Sequence, residues 1–194
     1  MLQAATVKKR EEQRKEVIAN VVKAKIEQEK NEKLREDAKK MYIALANHAG
    51  VGDINAFEKV VDEQNQEINI NWVTKGGNTF LITASENGQA NMVAFLLGKG
   101  AIVDKANKDG CTALCYAAQS NHLGTLRLLL EKGADPNCQP YDEGEFAFPL
   151  YMAAVTNYAE VCELLLQFGA NVNQKCGGVT SLQKATQRKT HSDH

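Results

Sequence analysis

Two stretches of this chain are versions of the same sentence, and their spacing limits the fold more than any other feature. The first reads Thr79-Phe-Leu-Ile-Thr-Ala-Ser-Glu-Asn-Gly88, then Val93, Leu96, Leu97, Gly100, Ala101 and Asp104. The second reads Thr112-Ala-Leu-Cys-Tyr-Ala-Ala-Gln-Ser-Asn121, then Leu126, Leu129, Leu130, Gly133, Ala134 and Asn137. Leu81 to Leu114, Gly100 to Gly133 and Asp104 to Asn137 are each 33 residues apart. A fixed period of this length marks stacked supersecondary units, because one unit cannot bury its apolar face alone.

The physics of one unit follows from its residues. Leu81, Ala84 and Ser85 fall on one face of a short helix, where small side chains let a second helix approach. Val93, Leu96 and Leu97 give that second helix an apolar stripe at i, i+3, i+4 spacing. Gly100 stands where the helix should end, in the left-handed cap conformation that glycine adopts cheaply. Asp104 to Gly110 is polar turn sequence.

Further units flank this pair. Leu150, Ala153, Ala154, Cys162, Leu165, Leu166, Gly169 and Ala170 keep the landmarks, with Cys162 on the core stripe, but Leu114 to Leu150 is 36 residues. The three extra residues fall in the connection Cys138–Ala147, which holds Pro140, Tyr141, Asp142, Glu143 and Glu145. A divergent first unit has Leu45, Ala49 and Gly52, then Phe57, Val60 and Val61, then Ile68, Ile70 and Asn71, with an insertion near Asp62–Gln66. A last unit begins at Thr180, Leu182 and Ala185, and the chain stops at His194, where its second helix is expected to start. The preferred reading is a fragment of a longer repeat protein, with a frayed last repeat as the alternative.

The period and the T-x-L-x-x-A/S…L-L-x-x-G-A-x-x-N/D pattern resemble the ankyrin repeat, over roughly residues 42–188. The family's Thr-Pro-Leu-His signature is only partly kept: Thr79-Phe80-Leu81-Ile82 and Thr112-Ala113-Leu114-Cys115 lack the Pro and His, and Phe148-Pro149-Leu150-Tyr151 lacks the Thr. The resemblance implies an all-α solenoid of helix-turn-helix units with β-hairpin fingers. Repeats are expected at about 42–75, 76–108, 109–144 and 145–176, with a partial one at 177–194.

Residues 1–41 read as a charged helical arm. Residues 1–40 hold 12 Lys/Arg and 8 Asp/Glu (+4), and the remaining 11 Lys/Arg and 16 Asp/Glu (−5) complete the net −1. Glu11–Lys15, Glu29–Lys33 and Glu36–Lys40 are i,i+4 pairs in the favourable order. The apolar positions Ile18, Val22 and Ile26 do not continue the register of Leu34, Ala38, Met41 and Leu45. The preferred reading is a solvated helix whose C-terminal end docks on the repeats, ahead of a coiled coil with a helical partner. A nucleic-acid arm ranks last, because acids interrupt the basic residues. No apolar run approaches the ~18 residues of a membrane span. The N-terminus lacks a signal peptide's apolar segment. Five cysteines without framework spacing read as reduced thiols, which places the chain in the cytosol or nucleus.

No catalytic constellation, cofactor motif or metal site is expected. Cys111-x3-Cys115 lacks the four grouped ligands of a structural zinc site. His48 and His122 lie beside helix turns, Gly76, Gly77, Gly98 and Gly100 do not fit a phosphate loop, and Asp62-Glu63 and Asp142-Glu143 do not fit a calcium loop. What the resemblance implies is a surface: a concave groove formed by the fingers and the exposed face of each first helix. By register that face holds Asn47, Thr83, Tyr116 and Met152 in one row, Glu86, Gln119 and Val155 in a second, and Asn87, Ser120 and Thr156 in a third. Trp72, Lys105, Lys108, Asp109, Tyr141, Asp142 and Glu143 belong to the fingers. The expected partner-binding set is Trp72, Thr83, Glu86, Tyr116, Gln119, Tyr141, Asp142, Glu143, Met152 and Val155, with Trp72 and Met152 equally open to a packing role. The expected function is non-catalytic protein–protein recognition, as an adaptor or scaffold in a cytosolic or cytoskeletal assembly. The alternatives are a structural spacer, or the regulatory or substrate-recruiting part of a larger enzyme.

Overall fold

The computed structural model describes residues 2–63, 68–138, 148–176 and 178–192. Tyr141, Asp142 and Glu143, expected from the sequence to meet a partner, and most of both insertions lie outside the described residues. The chain divides between Tyr42 and Ile43 into two units, although one helix, α1 (Leu2–Val51), runs through the division.

The first unit is the arm. Every described side chain from Asn20 to Lys40 is exposed, including Val21, Val22, Ile26 and Leu34. Two ion pairs described on it are one residue closer than the i,i+4 spacing expected: Lys39 reaches Glu36 at 3.6 Å and Lys40 reaches Asp37 at 3.8 Å. Both side chains of each pair are solvated, so such contacts contribute little.

The second unit is a solenoid of helix pairs. The end of α1 pairs with α2 (Ile54–Glu63), α3 (Phe80–Glu86) with α4 (Ala90–Gly98), α5 (Ala113–Gln119) with α6 (Leu123–Glu131), and α7 (Pro149–Val155) with α8 (Ala159–Gln167). The helices α3, α5 and α7 lie side by side, as do α4, α6 and α8. A two-stranded hairpin, β1 (Lys175–Cys176) with β2 (Val179–Thr180), leads into α9 (Ser181–Ser192), which packs on α7. The described fingers otherwise consist of turns, with one bridge between Val73 and Thr79.

The core runs between the two helical layers. Leu45 and Ala49, then Leu81 and Ala84, Leu114 and Ala117, and Leu150 and Ala153 supply the first layer. Met92, Val93 and Leu96, then Leu126, Leu129 and Leu130, and Val161, Leu164 and Leu165 supply the second. Each fully buried Leu contributes about 1.5–3 kcal/mol by leaving water. The third stripe is less covered than the sequence implies: Val161 is buried like its counterparts Met92 and Thr125, but Cys162 is half-buried and Leu166 is 42% exposed. The reason is local, since Leu130, the counterpart of Leu166, is covered by a following helix pair, whereas α8 has no described helix on its outer side.

Two devices repeat with the sequence. A positive φ recurs between the paired helices at Gly52 (75°), Gly88 (69°), Asn121 (59°) and Asn157 (63°). Asparagine is the side-chain-bearing residue that tolerates this conformation best. In addition, carboxamides staple successive fingers together. Asn71 Oδ1 accepts from the Ile102 N–H at 2.8 Å and its Nδ2 donates to the Gly100 carbonyl at 3.2 Å. Asn137 does the same with Asn171 N–H (2.7 Å) and the Gly169 carbonyl (3.1 Å).

Candidate partner-binding site

The first-helix rows anticipated from register do lie on neighbouring helices, and the structure gives them different chemical characters. Thr83, Tyr116 and Met152 are half-buried on α3, α5 and α7, and Gln119 and Val155 are half-buried beside the exposed Glu86. Thr83 spends its hydroxyl on the Thr79 carbonyl (3.1 Å), and Thr156 donates to Met152 (2.8 Å). What these two residues offer a partner is mainly the methyl group. Asn87 likewise donates to the Thr83 carbonyl at 2.8 Å.

Tyr116 is tied into a network that the sequence did not reveal. Asn107, buried beneath the finger, donates through Nδ2 to Asn78 Oδ1 at 2.9 Å and to the Tyr116 hydroxyl at 3.0 Å. Its Oδ1 accepts from the N–H groups of Asp109 (3.0 Å) and Cys111 (2.9 Å). One carboxamide therefore shapes the turn 107–111 and fixes the phenol of Tyr116 over the groove. Burial pushes the Tyr116 phenol above its ordinary value, so it stays protonated at neutral pH. The signal was present as Asn78 and Asn107, 29 residues apart, but only the folded stack brings them together.

Trp72 is half-buried, and its ring stacks on Phe80 at a centroid distance of 6.0 Å and an interplanar angle of 28°. Phe80 in turn meets Phe57 edge-on at 5.4 Å, and Phe57 meets Phe95 at 5.9 Å. Trp72 thus has a packing role, and it continues an aromatic chain into the core. Around that chain, a cavity of about 270 Å³ is lined by Phe57, Val61, Ile68, Ile70 and Phe95, with Glu58, Asp62 and Lys99 also in its wall. Lys99 stands 5.2 Å over the Phe95 ring and 3.9 Å from Glu58.

The cysteines are free thiols, and no grouping of His, Cys, Asp and Glu among the described residues could hold a metal ion. His122 serves the stack: its ring packs on Gly88, and Nε2 lies 3.0 Å from the Glu86 carbonyl of the preceding repeat. No helix among the described residues is long and apolar enough to cross a membrane.

Comparison with known proteins agrees with this geometry. Residues 41–140 match the family model described as ankyrin repeats in three copies, and residues 147–176 match a single ankyrin repeat. Human ankyrin repeat and KH domain-containing protein 1 is 36% identical over 96 residues, which is 50% of this chain and 4% of that protein. The Caenorhabditis elegans ankyrin repeat and KH domain-containing protein mask-1 is 42% identical over 71 residues, 37% of this chain and 3% of that protein. Human transient receptor potential cation channel subfamily A member 1 is 28% identical over 155 residues, 62% of this chain and 14% of the channel. The chain thus spans only a few per cent of the KH-domain relatives, and the likeness concerns their repeats. With more than half of its length matched by the three-copy model alone, and with its helix pairs stacked at the matching period, this chain belongs to the ankyrin-repeat family, a module for binding other proteins.

Proposed function

We propose that this protein is a non-catalytic adaptor whose partner lies along the strip formed by Thr83, Glu86, Tyr116, Gln119, Met152 and Val155. The observation carrying this reading is the strip itself. It crosses three adjacent helices and presents methyl, phenol, thioether and carboxamide groups without a nucleophile–base pair among them. Such a surface suits a protein partner: a fixed aromatic and a thioether give contact area at low entropic cost, and the flanking polar groups orient it. The partner's facing surface is basic, since residues 41–194 carry 16 acids against 11 bases and Glu86 is exposed on the strip. The arm, with its exposed Val22, Ile26 and Leu34, would take a separate helical partner, in keeping with a scaffold in a cytosolic or cytoskeletal assembly.

The test is site-directed photo-crosslinking in cells. A photoreactive residue at Gln119 should give protein adducts, whereas one at the exposed Arg127 on α6 should give few or none. Adducts from Arg127 alone would place recognition on the other layer and overturn the reading.

A further inference from the structure

We propose that Cys115 and Cys138 form an oxidation site, at which a small peroxide converts the two thiols into an intramolecular disulfide. Their sulfurs already lie 3.3 Å apart, and both face the hydroxyl of Thr112, at 3.5 Å from Cys115 and 3.3 Å from Cys138. A disulfide needs about 2.05 Å, so small side-chain rotations complete the approach. The equivalent threonine one repeat earlier is used differently: Thr79 Oγ1 accepts the Ile82 N–H at 3.1 Å and caps α3. Thr112 makes no such cap, and its hydroxyl is turned to the sulfurs instead.

The three nearby thiols are not equivalent. Hydrogen bonding from Cys111 first, then from Cys138 and Thr112, outweighs burial and holds Cys115 well below the ordinary thiol range. Cys111 and Cys138 are pushed upward, each chiefly by its bond to Cys115 and then by burial. Cys115, within hydrogen-bonding reach of both the Thr112 hydroxyl and the Cys138 sulfur, is assigned the attacking role, the thiolate being the reacting form. Its 5% exposure favours a small oxidant such as hydrogen peroxide over a bulky one.

The reaction balances in two steps. The Cys115 sulfur attacks one peroxide oxygen, the O–O bond breaks, and the departing hydroxide takes a proton and leaves as water, giving a sulfenic acid. The Cys138 sulfur then attacks the Cys115 sulfur, the S–O bond breaks, and hydroxide leaves with the Cys138 proton as a second water. Both sulfurs are oxidised and one peroxide is reduced. The bond joins the start of α5, next to Tyr116, to the turn segment that follows α6.

The test treats the whole chain with a molar excess of hydrogen peroxide, unfolds it, alkylates the remaining thiols and measures mass and peptide linkage. The expected product is about 2 Da lighter before alkylation, as one intramolecular disulfide requires. It should take up three alkyl groups on its five cysteines and yield a Cys115–Cys138 linked peptide that dithiothreitol releases. Cys138→Ser should abolish the link and Cys111→Ser should preserve it. Five alkylated cysteines after peroxide, a bond from Cys115 to Cys111, or links only between chains would each overturn the proposal.

Discussion

The backbone N–H of Asp135 donates to Oδ1 of Asp104 at 3.1 Å, at the position where the neighbouring staples use asparagine. Asn71 and Asn137 both accept from the next finger and donate back to it, but an ionised Asp104 can only accept. Burial raises its pKa above the usual carboxylate value of 3.8. The Asp135 N–H works against that rise, and the Asp135 charge adds to it.

A carboxyl with a raised folded pKa favours folding while protonated, and that advantage is lost as pH rises through the folded value. Asp104→Asn should therefore stabilise the protein near neutrality by about 0.5–1.5 kcal/mol, the net value of a restored hydrogen bond. Its margin over wild type should shrink toward pH 4. Urea unfolding at both pH values measures this, and a variant weaker than wild type at pH 7 would refute it.

Ser85 occupies the position filled by Ala49, Ala118 and Ala154 in the other units. Its hydroxyl is fully buried and has no hydrogen-bond partner among the described residues. Ser85→Ala should then raise stability by about 1–3 kcal/mol, the desolvation cost of an unsatisfied polar group. Differential scanning calorimetry should show a higher Tm, and an unchanged or lower one would mean that the hydroxyl is satisfied after all.

A Cβ on Gly88 would come within 2.5 Å of His122 Nδ1, at a φ of +69° that side chains rarely adopt. Gly88→Ala should cost about 1–3 kcal/mol from the backbone alone, with the imidazole clash added. In a His122→Ala background the same substitution should cost less, leaving the backbone share. Equal losses in both backgrounds would show that His122 gives way freely.

Leu129 and Leu165 are both fully buried, on α6 and α8. Truncating either to Ala should cost about 2–5 kcal/mol. The damage should spread mainly to adjacent repeats, because each repeat contacts only its neighbours. Hydrogen exchange resolved by peptide checks this: Leu165→Ala should loosen α5–α8 more than α2–α4.

Much of this architecture was legible because it is local and periodic. The Leu81–Leu114 spacing, the Leu-Leu stripes and the glycines after α4, α6 and α8 encode helix pairs at short range. The site was legible only in part. Register placed Thr83, Tyr116 and Met152 on adjacent helices, but it could not show that Asn107 holds the Tyr116 phenol or that Trp72 stacks on Phe80. Those contacts join residues of different fingers and helices, and no periodicity records them. The pairing of Cys115 with Cys138 escaped for the same reason, because the two thiols belong to successive units. Counting puts Cys162 on the core stripe, yet it is only half-buried, because its burial depends on what covers α8.

The staples also give the solenoid a mechanical polarity. Asn71, Asp104 and Asn137 each receive an N–H from a residue about thirty positions further along the chain, at 102, 135 and 171. Every finger thus hangs from the one before it. Under tension applied at the C-terminal end, the load falls first on the Asn137 clasp and reaches Asp104 only after that clasp has opened. The solenoid would yield as a zipper drawn tooth by tooth, and Asp104, able only to accept, would be its easiest tooth.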